Sequence, residues 1–125
     1  MAKSFALLVV AAVATFSGVV AFKDNCNGSS FCNKNMAATC QGAINRFSDG
    51  TTYNDYVTRT NGNCVAIYLC IGVYPALTGA QLKGHFAPIH GAQGCKGCGS
   101  HAFNNGNCEV TVNFCANCLD SGNSN

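Results

Sequence analysis

Ten cysteines in a chain of 125 residues constrain this fold more than any other feature of the sequence. Their compartment decides what they do. The chain opens Met1-Ala2-Lys3-Ser4, and Phe5 to Ala14 follow as an unbroken apolar run. One positive charge, an apolar h-region and the small residues of Val19-Val20-Ala21 just before Lys23-Asp24-Asn25 make the pattern of a secretory signal peptide cleaved after Ala21. A bilayer-spanning helix needs roughly 20 predominantly apolar residues, and this stretch is broken by Thr15, Ser17 and Gly18. Residues 1–21 are therefore expected to be a signal peptide and 22–125 one exported domain. In an oxidising compartment an even cysteine count reads as a disulfide framework of five bridges.

The exported part has little else to hold it. There is no Trp, and many of its apolar side chains are alanines. A small domain with a thin core draws its stability from cross-links, each contributing typically about 2–4 kcal/mol against a net stability of about 5–15 kcal/mol. Spacing alone does not select the pairing. A formal net charge of +2 is too small for a protein that tracks phosphates, which excludes nucleic acid as the partner. The basic side chains Lys34, Arg46, Arg59, Lys83 and Lys96 stand singly along the chain.

Hydrophobic periodicity and turn signals mark two helices and three strands. Met36, Cys40, Ala43 and Ile44 recur at helical spacing after the possible caps Asn33 and Asn35, with Gly42 as a weak point. Residues 55–60 and 63–71 are β-type runs on either side of Asn61-Gly62, a hairpin signal. Thr78 and Gln81 have capping-box spacing ahead of Leu82, Phe86 and Ile89, with Pro88 expected to kink or end that helix. Val110, Val112 and Phe114 alternate with Glu109, Thr111 and Asn113, as in a half-buried strand. Two helices among antiparallel strands predict an α+β domain with the helices covering one face of the sheet.

Candidates for chemistry are few. Cys95-Lys96-Gly97-Cys98 and Cys115-Ala116-Asn117-Cys118 have zinc-ribbon spacing, but an export signal and six further cysteines favour structural disulfides, with no metal and no cofactor. His85 and His90 are poorly spaced for two ligands on one helical face, and they and His101 read as structural residues. Asp24, Asp49, Asp55, Glu109 and Asp120 sit in turn-like or exposed contexts, without the pairing that general acid-base hydrolysis uses. No GxSxG, HExxH or phosphate-cradling loop occurs, so an enzyme is not expected. Asn27-Gly28-Ser29 is a glycosylation sequon at Asn27, placed between Cys26 and Cys32. Lys96, between two cysteines and beside glycines, would present its ammonium on a stiff loop.

Three segments carry a family resemblance. Cys26-Asn27-Gly28-Ser29-Ser30-Phe31-Cys32, Gly94-Cys95-Lys96-Gly97-Cys98-Gly99-Ser100 and the run from Val110 to Cys118, with Asn63-Cys64 and Cys70 between them, resemble the killer toxin KP4 family. The resemblance implies a disulfide-rich α/β sandwich, an antiparallel sheet of about five strands with two antiparallel helices on one face. It further implies the pairs Cys26–Cys95, Cys32–Cys98 and Cys40–Cys70; Cys64, Cys108, Cys115 and Cys118 are left for two more bonds whose pairing stays open, with Cys64–Cys108 and Cys115–Cys118 taken as the working expectation. The sequence departs from the family in lacking two cysteines between Cys40 and Cys64 and in having Cys108 and Cys115.

The activity implied is that of a secreted monomeric toxin that inhibits competing or host cells without catalysis, by blocking a membrane calcium channel. A cationic side chain set against an acidic pore mouth is the expected chemistry. The family's basic stretch before the hairpin is shortened here, so Arg46, Arg59 and Lys96 are the candidate target-binding residues. A secreted effector or defence protein that binds a cell-wall or cell-surface partner is the alternative.

Overall fold

The computed structural model describes residues 21–122. All but the last residue of the expected signal peptide lies outside them. The chain runs α1 (Met36–Ile44), β1 (Thr52–Tyr53), β2 (Val57–Asn61), β3 (Cys64–Cys70), β4 (Leu77–Thr78), α2 (Gly79–His90), β5 (Gly99–Phe103) and β6 (Cys108–Phe114). The fold is α+β. Four strands form one antiparallel sheet in the order β2-β3-β6-β5, while β1 and β4 form a separate two-stranded ribbon. The single sheet of about five strands expected from the resemblance is thus divided between a larger sheet and a small pair.

The expected hairpin forms with its loop one residue later than Asn61-Gly62. Asn61 pairs with Cys64, leaving Gly62 and Asn63 as the loop. Gly62 has φ +55° while Asn63 is not in the positive-φ region, the pattern of a II′ turn with glycine at its first central position. The capping box closes as the spacing predicts. Thr78 Oγ1 accepts from Gln81 N at 3.1 Å, and Gln81 Oε1 accepts from Thr78 N at 2.9 Å. Pro88 does not stop α2, which continues to His90 before Gly91 ends it. In the last turn a proline forfeits only one backbone bond.

Alternation along β3 sends Cys64, Ala66, Tyr68 and Cys70 to one face, where Val110 and Val112 of β6 meet them. On that face lie Met36, Cys40, Ala43 and Ile44 of α1 with Leu82, Phe86 and Ile89 of α2, all in one core. Between the helices and the ribbon, the Phe47 ring meets Tyr53 edge-on at 5.3 Å and Phe86 at 5.6 Å. Burial and the neighbouring Tyr74 push the Tyr68 phenol up to about 12, and its hydroxyl donates to Pro75 O at 2.8 Å.

Both edges of the sheet are covered by the chain itself. On β5, Asn25 exchanges two backbone bonds with Ser100, and Asp24 Oδ1 accepts from Ala102 N at 2.7 Å. On β2, Ser121 exchanges two backbone bonds with Thr58. While these covers are in place, the edges present no open row of backbone groups to another chain.

The bridges are Cys26–Cys95, Cys32–Cys98, Cys40–Cys64, Cys70–Cys108 and Cys115–Cys118. Two of them correct the expected pairs Cys40–Cys70 and Cys64–Cys108. Cys64 and Cys70 are the two ends of β3. At about 3.3 Å per residue they stand roughly 20 Å apart, so Cys40 can reach only one of them. Asn61 Nδ2 donates to Thr39 O at 2.9 Å and holds α1 at the hairpin end, beside Cys64. At the other end Cys70 lies directly across the ladder from Cys108, with Cα atoms 4.0 Å apart.

Mass spectrometry of unreduced proteolytic fragments should therefore join Cys40 to Cys64 and Cys70 to Cys108. Replacing Cys40 and Cys64 together by Ser should lower stability in denaturant unfolding by about 2–5 kcal/mol. Replacing Cys115 and Cys118, whose bridge closes a loop with a sequence separation of 3, should cost about 2 kcal/mol or less.

Candidate binding site

The three cationic candidates have different fates. Arg59 shares the parity of Val57 on β2, and parity places it on the core face, where it is 5% exposed. Its guanidinium lies 5.8 Å from the Phe47 ring centre and 5.7 Å from that of Tyr53. Nη1 donates to Thr58 O at 2.8 Å and Ser121 O at 3.0 Å. Carbonyls and aromatic faces are among the groups that satisfy this buried cation. The side chain is thus covered by the chain's own groups and does not face solvent, as a surface cation set against a target would.

Arg46 follows α1 and turns to the C-terminal segment. Nη2 lies 2.6 Å from Asp120 Oδ2, while Nη1 donates to Asp120 Oδ1 at 3.0 Å and to Thr60 O at 2.7 Å. Asp120 also accepts from Thr60 N at 2.8 Å and Thr60 Oγ1 at 2.9 Å. Burial works against its charge, but the Thr60 hydrogen bonds and the charges of Arg46 and Arg59 outweigh it and hold the carboxyl below its ordinary range.

Lys96 is exposed, as the sequence suggests. Cys95 and Cys98 on either side of it are tied to Cys26 and Cys32, so both ends of its loop are fixed covalently. A second exposed lysine, Lys34, comes from the segment just after Cys32. With Cys26, Cys32, Asn33, Gly97 and Cys98 the two lysines line a cleft of about 200 Å³. A Cβ at Gly97 would overlap the Asn33 carbonyl, so only glycine lets the two loops meet here. Among the described residues neither ammonium forms an ion pair. Lys34 was not singled out from the sequence, although the expected Cys32–Cys98 pair, with each lysine two positions from one of its members, was the signal that could have found it. Asn27 of the sequon is exposed next to Cys26, at the border of the same cleft.

The remaining titratable groups have structural partners. Asp49 pairs with Lys83 at 2.7 Å, and Asp55 Oδ1 accepts from Tyr56 N at 2.8 Å. Burial raises the Glu109 pKa, with a Thr111 hydrogen bond opposing it. Asp24 stands 3.3 Å from His101 Nδ1, which is also 3.1 Å from Gln93 Oε1. Ser100, the neighbour of His101 on β5, places its hydroxyl 2.7 Å from Thr111 Oγ1 rather than on the imidazole. Adjacent strand residues face opposite sides, which separates that hydroxyl from the histidine. His85 stacks on Phe103 at 3.8 Å, and burial followed by the nearby His101 lowers its pKa. His90 Nε2 bonds to Gly97 O. The CxxC cysteines are divided among three different disulfides, and no three His, Cys, Asp or Glu side chains among the described residues gather as metal ligands.

A profile of the meiotically up-regulated gene family (MU117) matches residues 24–118. The chain belongs to this family. The family span takes in every cysteine, both helices and all six strands, and ends at Cys118, ahead of the Leu119-Asp120-Ser121 segment. No curated protein and no solved structure matches the chain. Within the MU117 fold described above, many disulfides in a small domain are typical of extracellular proteins, and among the described residues no helix is long and apolar enough to cross a membrane.

Arg59→Ala should lower stability by about 2–3 kcal/mol, because two carbonyls lose their donor and two rings their cation, whereas Lys96→Ala should stay within about 0.5 kcal/mol. Equal thermal shifts for the two variants would contradict these placements. Asp120, with its folded pKa below the unfolded one, contributes stability that is fully present above the ordinary carboxylate range and is lost as pH falls through its folded pKa. A pH series of unfolding curves for the wild type and Asp120→Asn should show the variant losing less stability over that acidic window.

Proposed function

We propose that the protein is a secreted, non-enzymatic KP4-like toxin or effector that inhibits competing or host cells by binding a component of their surface. Residues 1–21 are the signal peptide that exports it. The observation that carries the reading is the disulfide-pinned cleft with Lys34 and Lys96, two exposed cations on covalently fixed backbones. A side chain whose loop is already ordered loses less freedom on binding, so such a pair suits an anionic surface better than lysines on mobile loops. The family's name describes when its genes are expressed and leaves activity open.

Blockade of calcium uptake is the form of this activity that the KP4 resemblance implies. In this chain it rests on Lys96 with Lys34, since Arg46 and Arg59 are engaged by Asp120, backbone carbonyls and aromatic rings. That engagement favours, as a second reading, an effector that binds a cell-wall or cell-surface partner without changing calcium flux.

Purified oxidised protein added to fungal and plant cells should slow growth, and Lys34→Glu with Lys96→Glu should weaken the effect by about tenfold or more while leaving the unfolding curve in place. Relief of inhibition by added external calcium, with reduced calcium uptake, would assign the channel reading. Inhibition that is indifferent to calcium would assign the surface-binding reading. Equal potency of the double variant would remove the cleft from either.

A further inference from the structure

The segment Leu119-Asp120-Ser121 lies along β2 as a short extra strand, and among the described residues its contacts with the sheet are polar until Gly122 comes close on Val57. Leu119 is 83% exposed. The bonds that join the segment to the sheet are polar. Thr58 exchanges backbone bonds with Ser121, N to O at 3.1 Å and O from N at 3.2 Å. Its hydroxyl donates to Leu119 O at 3.1 Å and lies 3.0 Å from Ser121 Oγ. Asp120 takes the Thr60 amide, the Thr60 hydroxyl and the Arg46 fork, and Ser121 O accepts from Arg59.

The two sides of this contact differ in firmness. Beneath it, β2 is paired with β3 from Val57 to Asn61, Val57 belongs to the core and Arg59 lies against Phe47 and Tyr53, so the receiving strand is anchored from its other side. Above it lie three residues held by directional polar bonds between the Cys115–Cys118 bridge and Gly122, the kind of short segment that opens locally without unfolding the rest. A preformed edge with a replaceable occupant is a binding site already showing its ligand.

We propose that the β2 edge, with Arg46, Arg59, Thr58 and Thr60, is a docking site for an acidic peptide in extended conformation, and that residues 119–121 are its built-in occupant. The internal segment specifies what fits. A backbone carbonyl must accept from the Thr58 hydroxyl, the next residue must carry a carboxylate for Thr60 and Arg46, and the residue after it must offer an N–H and a C=O to Thr58. Strand addition supplies the backbone bonds, and the arginine fork makes the acidic side chain the selective element. The tethered segment competes at high effective concentration, so an external peptide gains access when the tail is weakened. This edge and the Lys34–Lys96 cleft are on opposite sides of the sheet, because Gly97 and Cys98 lead directly into β5 and the strand order is β2-β3-β6-β5. The two sites therefore stand or fall separately.

The test uses full-length exported chains, wild type and Asp120→Ala, with a fluorescent end-capped peptide containing Leu-Asp-Ser-Gly and its Leu-Asn-Ser-Gly counterpart. By anisotropy, Asp120→Ala should bind the Asp peptide at least about tenfold more tightly than wild type does, and should prefer it over the Asn peptide by a similar factor. Adding Arg46→Ala should abolish that preference. Equal binding by the two chains, equal binding of the two peptides, or no binding by Asp120→Ala at millimolar peptide would overturn the proposal. If Asp120→Ala does not fold, amide exchange in the wild type decides. Exchange at Ser121 should accelerate on adding millimolar Asp peptide, and an unchanged rate rejects the site.

Discussion

The central strand is fixed at both ends, and most of the molecule is organised around that restraint. Cys64 ties the start of β3 to α1 through Cys40, and Cys70 ties its end to β6 through Cys108. Two of the sheet's three ladders run along this strand, to β2 on one side and β6 on the other. Cys40, Cys64, Cys70, Cys95, Cys98 and Cys108 are themselves buried in the core, so the bridges occupy volume that larger apolar side chains fill in bigger domains. The bridges act as cross-links and as packing material together.

The cations are divided according to what their neighbours offer. A guanidinium can spread its donors over carbonyls and lie against rings, which is why Arg59 can be buried and Arg46 can clamp a carboxylate. An ammonium is a compact, strongly hydrated charge, and Lys34 and Lys96 stay at the rim of the cleft. Their backbones are fixed by disulfides while their charges remain in water. That separation places the candidate contact end and the arginine pair on different edges of one sheet.

Local pattern carried much of the architecture. The helical spacing from Met36 to Ile44, the Thr78–Gln81 box and the alternation from Val110 to Phe114 each reflect contacts within a few residues, and each element is present. Gly99-Ser100-His101-Ala102-Phe103 has no alternation, and it becomes β5 because Asn25 and β6 pair with it from either side. Register between distant strands is equally silent in a sequence, which is why Cys70 opposite Cys108 could not be read from spacing. Arg59 did leave a trace. The apolar residue two positions before it, Val57, shares its face, so the alternation that buries one buries the other. The Arg46–Asp120 pair, whose members are 74 positions apart, left none.

The connectivity also sets a timetable for making the molecule. Cys26 and Cys32 have partners 69 and 66 positions further along. During export of the kind proposed they reach the oxidising side first, with each other as the nearest thiols, while Cys95 and Cys98 are still to be synthesised. At roughly 5–20 residues per second that interval lasts on the order of several seconds, long enough for a premature Cys26–Cys32 bond if oxidant is at hand. Such a bond must be exchanged before the cleft can exist. The walls that position Lys34 and Lys96 are thus among the last parts of the fold to be completed, and the yield of competent protein depends on thiol-disulfide exchange in the cell that makes it.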